Sequence, residues 1–323
     1  MTDIVPFDEG AISRAVDVLR CGGLVAIPTE TVYGLAADAA NGEAVAGIFA
    51  AKGRPSFNPL IAHVSCIAMA ERHVDFDPVS RALAERFWPG PLTLVLPVKD
   101  VQATGRPVHP LVTAGLATLA VRMPEGRVRD VIKTLDSPVA APSANTSGRI
   151  SPTSAEAVAA DLGGKIDLIL DAGPCGVGVE STIVKIEGDT AHLLRPGGLA
   201  AEEIEKFLGQ RLIRADHAAA IQAPGMMASH YAPDAAVRLN VSAVLPGEAL
   251  LAFGPNRVSG AEHAKAVLNL SESGSLREAA SNLFDFMRRL DQSGASAIAV
   301  EPIPVEGLGE AINDRLKRAA APR

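Results

Sequence analysis

Aromatic side chains are scarce in this 323-residue chain: 4% of the sequence, with one Trp and two Tyr. That excludes a broad surface on which successive bases stack against rings. Cysteine is scarce too. Cys21, Cys66 and Cys175 are odd in number, far apart and outside any CxxC or Cys/His metal spacing, so neither a disulfide framework nor a zinc site is expected. No apolar run nears the roughly 20 residues that cross a bilayer, and no charged-then-apolar leader is present; a cytoplasmic protein without a membrane segment is the expectation. Positive charge is not in excess. The net charge is −7, with 19 − 25 = −6 up to Leu212 and 11 − 12 = −1 beyond it, a balance that disfavours strong non-specific nucleic-acid binding. GxxxxGK[ST], GxGxxG opening a helix, GxSxG and HExxH are all missing, so any nucleotide chemistry needs another scaffold.

What is present suits packed α/β layers. Apolar residues make up 48%, and the length fits two domains of roughly 150 residues. Ile12, Ala15, Val16 and Leu19 fall at helical spacing before Gly22-Gly23 and the strand-like LVAI. A second helix is predicted from Asn41 as N-cap to Lys52, with Val45, Ile48 and Phe49 inward. LIAHV, LTLVLPV, TLAVRM, SPVAAP, IDLILD, STIVKI and AHLLR read as strands, and helices are predicted over 127–135, 155–162 and 201–208. Strands outnumber helices and some adjoin in sequence, which predicts a mixed sheet. Residues 1–212 form the first domain in this reading, 213–236 a linker, and 237–323 a smaller α/β domain. In the last, ALLAFG and SAIAVEP are strands, Ser275 and Glu278 form a capping box, and GEAINDRLKRAA closes the chain as a helix.

Polar residues gather just after several of these strands, where α/β proteins place ligands. In AKGRPSFNPL, extended backbone after Gly53 would point Lys52 and Arg54 to one side, and with Arg122 and Arg195 they form a candidate polyphosphate site. Thr29, Thr31 and Tyr33 share one face if the PTETVYGL strand continues, with Glu30 on the other. His63 ends an apolar run and reads either as a core residue or as a ligand contact. Arg122 lies in an apolar strand, so it needs an acidic partner or an anionic ligand such as a carboxylate. APSANTSGRISPT offers Ser143, Asn145 and Ser151 either to a ligand or to ordinary turns and caps. In GVGVESTI, Ser181 and Thr182 follow glycines that allow close approach to the backbone.

Taken together, PTETVYGL, KGRPSFNPLIAH, WPGPLT, AVRMP, APSANTSGRISPT, GVESTI and LLRPG resemble the YrdC/Sua5 family of L-threonylcarbamoyladenylate synthases. APGMMASHYAP with an α/β tail resembles the longer Sua5 form. The resemblance implies a YrdC-like twisted mixed sheet with a concave cavity and a Rossmann-like C-terminal domain. It implies that L-threonine, bicarbonate or CO2, and ATP give threonylcarbamoyl-AMP and diphosphate for t6A at position 37 of tRNA, with a downstream t6A transferase machinery as recipient. By position, Thr31, His63, Arg122, Ser143 and Ser181 would hold threonine. Lys52, Arg54, Asn58, Thr118, Asn145, Ser151 and Arg195 would hold ATP, with Lys52 and Arg54 catalytic and Tyr231 closing over the site. Mg2+ would arrive on the phosphates and not on side chains. Met227, Ala228 and Ser229 depart from the basic or aromatic residues common in relatives. The alternatives are a carbamoyl-adenylate-forming enzyme, disfavoured by the lack of a Cys cluster, and a non-catalytic RNA-binding or ribosome-assembly factor, disfavoured by the acidic balance.

Overall fold

The computed structural model describes residues 2–99, 107–215 and 230–322; Met227, Ala228 and Ser229 lie outside them. The first sheet takes eleven strands in chain order: β1 Asp3–Pro6, β2 Val25–Ile27, β3 Gly34–Asp38, β4 Ile61–His63, β5 Leu92–Pro97, β6 Thr118–Arg122, β7 Val139–Ala140, β8 Leu168–Asp171, β9 Thr182–Glu187, β10 Thr190–Arg195 and β11 Ile213–Arg214. Their order across the sheet is β1-β8-β2-β3-β7-β4-β6-β5-β9-β10-β11. The sheet is mixed: β4 runs parallel to β6 and β5 to β9, while β2/β3, β5/β6 and β9/β10 are antiparallel.

Local chemistry sets the helix ends. Helix α1, Glu9–Arg20, starts where the Asp8 carboxylate accepts from Ala11 N at 2.9 Å, and buries Ala11, Ala15, Val16 and Leu19. Helix α2, Gly42–Lys52, is capped by Asn41, whose Oδ1 accepts from Glu43 N and Ala44 N, and it stops at Gly53 in the left-handed region, φ 58°. A left-handed C-terminal glycine satisfies the last carbonyls without a Cβ clash. Two short helices follow, α3 Ile67–Ala70 and α4 Pro78–Phe87, then α5 Pro110–Thr113, α6 Val128–Leu135, α7 Ala155–Leu162 and α8 Ala201–Leu208.

A second sheet of four parallel strands is built from β12 Ala236–Arg238, β13 Ala249–Ala252, β14 Val267–Asn269 and β15 Ala297–Val300, ordered β12-β15-β13-β14. Helices α9, Leu276–Asp291, and α10, Leu308–Ala320, belong to this unit. Half of the expected capping box forms. Ser275 Oγ accepts from Glu278 N at 3.3 Å, but the Glu278 carboxylate takes the hydroxyl of Ser271 instead of reaching back to Ser275.

The two units share an apolar cluster. Val32, Ile150 and Val179 from loops of the first unit pack with Leu283, Phe284 and Met287 of α9. The loops that carry the polar motifs are therefore buttressed from the C-terminal side.

Candidate active site

Residues 28–33 link β2 to β3, and the Thr29 hydroxyl organises them. It donates to Val32 O at 2.7 Å, accepts from Thr31 N at 3.2 Å, and lies 2.8 Å from Thr31 Oγ1. The segment is a turn tied by its own side chain, not the strand continuation that its Thr and Tyr content predicts. Thr29 and Thr31 face a cavity. Tyr33 does not, because its hydroxyl turns into the core and donates to Gly173 O at 2.8 Å.

Across the cavity, β4 and β6 end in register at His63 and Arg122. Arg122 answers both readings of its sequence position. Its Nη1 donates to Thr31 Oγ1 at 2.8 Å and its Nε to Gly90 O at 3.3 Å, while Nη2 sits 2.6 Å from Glu30 Oε1. So it has an acidic partner and still lines the cavity. His63 Nδ1 lies 3.2 Å from Ile61 O. Burial first, and then the neighbouring Arg122 charge, push the imidazole down to about 3. A neutral ring that spends its one N–H on Ile61 O leaves Nε2 as an acceptor.

Lys52 and Arg54 converge on the site by another route than extended alternation, since Gly53 between them is left-handed. Lys52 is 1% exposed, and its Nζ donates to Ser143 O at 2.5 Å and to Asn145 O. Burial, then Arg54, push its ammonium well below the usual lysine range. It pins the Ser143–Asn145 segment from beneath; Arg54 lines the cavity, with Nη2 on Pro59 O at 2.9 Å and Nε on Asn58 O at 3.3 Å. Burial lowers Arg54 to about 10, still charged at neutral pH.

Arg195, the last residue of β10, is buried and donates to Ser181 O at 2.9 Å and Ser181 Oγ at 3.2 Å; Ser181 Oγ lies 2.7 Å from Thr93 Oγ1. Ser143, Ser181 and Arg195 are all on the wall. Asn58, Asn145 and Ser151 are buried behind it. Asn145 Nδ2 donates to Thr146 O and Arg149 O, while its Oδ1 is buried with no hydrogen-bond partner among the described residues. Ser151 Oγ donates to Glu180 Oε1 at 2.6 Å. Thr118 shares the face of Ala120 and Arg122 on β6 but starts the strand, outside the wall.

His230 and Tyr231 line the cavity. Tyr231 adopts φ 60° and is 1% exposed, with its ring stacked on Phe284 at 5.4 Å. The cavity measures ≈ 50 Å³, room for a few waters and far below the several hundred Å³ of a site that encloses a nucleotide. Sequence reasoning missed Glu180 and Arg315. Burial would raise the Glu180 carboxyl, but Arg315 and Arg195 hold it down at about 2. The signal available was a lone carboxylate in GVGVESTI with no acidic neighbour.

Arg122 and Arg195 at strand ends and Arg54 just beyond helix α2 line one cavity of an α/β protein. Residues 17–197 match the Sua5/YciO/YrdC family, described as "Telomere recombination", and residues 199–321 match "Threonylcarbamoyl-AMP synthase, C-terminal domain". The chain belongs to this family. It is 41% identical to a threonylcarbamoyl-AMP synthase of Pyrococcus abyssi, covering 98% of this chain and 96% of the relative. It is 40% identical to that of Bacillus subtilis, covering 100% and 96%. The crystal structure of P. abyssi Sua5 complexed with L-threonine superposes with a TM-score of 0.88 at 38% identity, covering 99% of this chain and 97% of that one.

Proposed function

We infer that this chain is an enzyme that makes threonylcarbamoyl-AMP from L-threonine, bicarbonate or CO2, and ATP. The observation that carries the reading is the gathering of Arg54, Arg122 and Arg195 on one cavity wall, with Lys52 behind it, in a chain whose full-length relatives bear that name. Arg122 and Thr31 suit the threonine carboxylate, since a guanidinium presents paired donors to it. The acceptor Nε2 of His63 suits its ammonium or hydroxyl, with Ser143 and Ser181 nearby. Arg54 and Arg195 suit the phosphates. The orphaned Asn145 Oδ1, costly at about 1–3 kcal/mol while unpaired, suits a donor on the nucleotide, with Asn58, Thr118 and Ser151 on that side.

Chemically, the deprotonated amine of threonine adds to CO2, giving a carbamate and releasing a proton. A carbamate oxygen then bonds to the α-phosphorus as its bond to the β-phosphate oxygen breaks and diphosphate leaves. Positioning and charge neutralisation supply the catalysis, so no side-chain nucleophile is needed. The Cys175 thiol, pushed up to about 12 by burial, is in any case inert at neutral pH.

Among the described residues no group of three or more His, Cys, Asp or Glu is placed to hold a metal, and the wall is cationic. The donor set does not fit a protein-held Mg2+. It is compatible with an ion carried in on the ATP phosphates, which is how we propose the metal enters. Among the described residues no helix is long and apolar enough to cross a membrane. We place the protein in the cytoplasm, handing its product to the t6A transferase machinery; the acidic balance gives direct tRNA binding little support.

Mass spectrometry of the AMP adduct, with threonine, bicarbonate and ATP omitted in turn, tests the reading. The adduct should require all three. Diphosphate release that ignores threonine would refute it.

A further inference from the structure

Asp161 stands in the last turn of α7, where a carboxylate faces the negative end of the helix dipole and gains nothing from the helix itself. What it meets is the segment after Asn145. Its Oδ2 accepts from Thr146 N at 2.8 Å, and its Oδ1 takes the Thr146 hydroxyl. Thr146 opens a turn that Arg149 N closes on Thr146 O at 3.2 Å, with Gly148 left-handed inside it at φ 85°. The Asn145 side chain folds into that turn: Nδ2 donates to Thr146 O at 2.7 Å and to Arg149 O at 3.0 Å.

Two carbonyls can be satisfied by the NH2 end of an amide and not by its oxygen. The turn therefore settles which way the Asn145 amide points, and Oδ1 is left as a buried acceptor with no hydrogen-bond partner among the described residues. An acceptor so placed takes a donor and repels a phosphate oxygen. Its orientation depends on where Thr146 O stands, and Asp161 holds Thr146 at two points. We propose that Asp161 is a positioning residue for the nucleotide side of the site: it anchors Thr146 to α7, and through Thr146 it fixes the Asn145 amide with Oδ1 as the acceptor offered to the nucleotide. Lys52 holds the backbone of the same segment at Ser143 O and Asn145 O; Asp161 governs the side chain. This rests on the reading of the cavity as an ATP site with Asn145 on its nucleotide side.

The threonine side is separate, since Arg122 is held by Thr31, Gly90 and Glu30. The expected signature is therefore selective. In the full-length chain, Asp161→Ala should raise KM for ATP about tenfold while the threonine Kd from titration calorimetry stays within about twofold. In an Asn145→Ala background, where no amide remains to be oriented, Asp161→Ala should change KM for ATP by less than about twofold, a non-additivity expected of residues that act through one another. Asp161→Asn still accepts from Thr146 N and can donate to the Thr146 hydroxyl, so it should stay within about threefold of the parent. A loss as large as that of the alanine variant would show that the charge matters and the anchoring does not, and would overturn the proposal.

The same turn accepts Ala232 N at Gly148 O, 2.8 Å away, so a merely architectural role, tying residues 230–232 to the first unit, makes a different forecast: ATP and threonine constants move together, and Asp161→Ala does equal harm with or without Asn145. That pattern overturns the assignment. If Asp161→Ala does not fold, Thr146→Val decides, because it removes the hydroxyl and keeps the N–H. A rise of about threefold in KM for ATP with the threonine Kd unmoved supports the proposal, and no rise, or a shift in both constants, overturns it. A parent chain without threonine-dependent diphosphate release would bring down the ATP-site reading itself, and this is seen before any variant is made.

Discussion

Arg122 shows why a buried charge in an apolar strand is legible before its partner is known. At 3% exposure the guanidinium needs compensation, and the turn tied by Thr29 delivers both Glu30 and the Thr31 hydroxyl to it. Arg122→Ala strands the Glu30 carboxylate and should cost about 3–5 kcal/mol of stability, so the cleaner probe is Arg122→Lys. It keeps the charge and loses the paired donors, and should weaken threonine at least about tenfold with ATP affinity little changed; equal loss of both ligands in calorimetry would reject the carboxylate assignment. Lys52 makes a different case. Its ammonium holds two backbone carbonyls of the Ser143–Asn145 segment; Ser143 O also accepts from Asn145 N at 3.0 Å, so Lys52→Met should leave Asn145 O unsatisfied, lower stability by about 1–3 kcal/mol, and reduce turnover at least about a hundredfold by displacing that segment. Arg54→Ala, on the wall itself, should lower turnover comparably with a smaller change in denaturant midpoint. Unaltered turnover in either variant would remove its proposed role.

At the scale of elements, what could be read from the sequence is what local chemistry decides. Asn41 as cap of α2, the stripe of α9 from Ala279 to Leu290, and the span of α7 follow from capping and period alone. Strands β12 and β14, three residues each, carry no readable alternation, because their pairing comes from neighbours distant in sequence. Helix α4 was missed although Asp77 caps it and Pro78 opens it, a signal hidden by its weakly apolar stripe. The site divides the same way. Lys52, Arg54, Ser143 and Asn145 stand in compact motifs, whereas Glu180 and Arg315 acquire meaning only when residues 135 apart meet. Gly178 marks that meeting on the backbone. At φ 79° an added Cβ would stand 2.3 Å from Ala280 O and 2.4 Å from Ser281 Cα of α9. Gly178→Ala thus combines left-handed strain with a clash between units, and a loss of at least about 2 kcal/mol is expected. A denaturant midpoint equal to the parent's would show that α9 yields freely there.

Over the whole molecule, the way buried groups titrate follows first from burial and then from the charges packed beside them. His63 and His230 are both pushed to about 3, each chiefly by burial; Arg122 adds to it at His63, and at His230 Glu180 opposes it while Lys52, Arg54 and Arg195 add to it; His73 is lowered in the same way by burial and Arg72. In the unfolded chain such rings take up a proton near pH 6.5. Between about pH 6.5 and pH 3 the unfolded state therefore binds more protons than the folded one, and stability must rise with pH through that window. Glu180 adds a second slope of the same sign. Its folded carboxyl is held at about 2, so the stabilisation it contributes is complete above its ordinary range and is lost as pH falls from about 4.5 toward 2. The melting temperature should be level near pH 7–8, decline below about pH 6.5 and fall more steeply below about pH 4.5. His230→Gln removes one titrating ring, so between pH 6.5 and 4.5 it should lessen the slope of unfolding free energy by up to about 1.4 kcal/mol per pH unit. Identical slopes in parent and variant would mean that the His230 ring is protonated within the folded cavity, beside Arg54 and Arg195, and that the site is wetter than the burial of His230 implies.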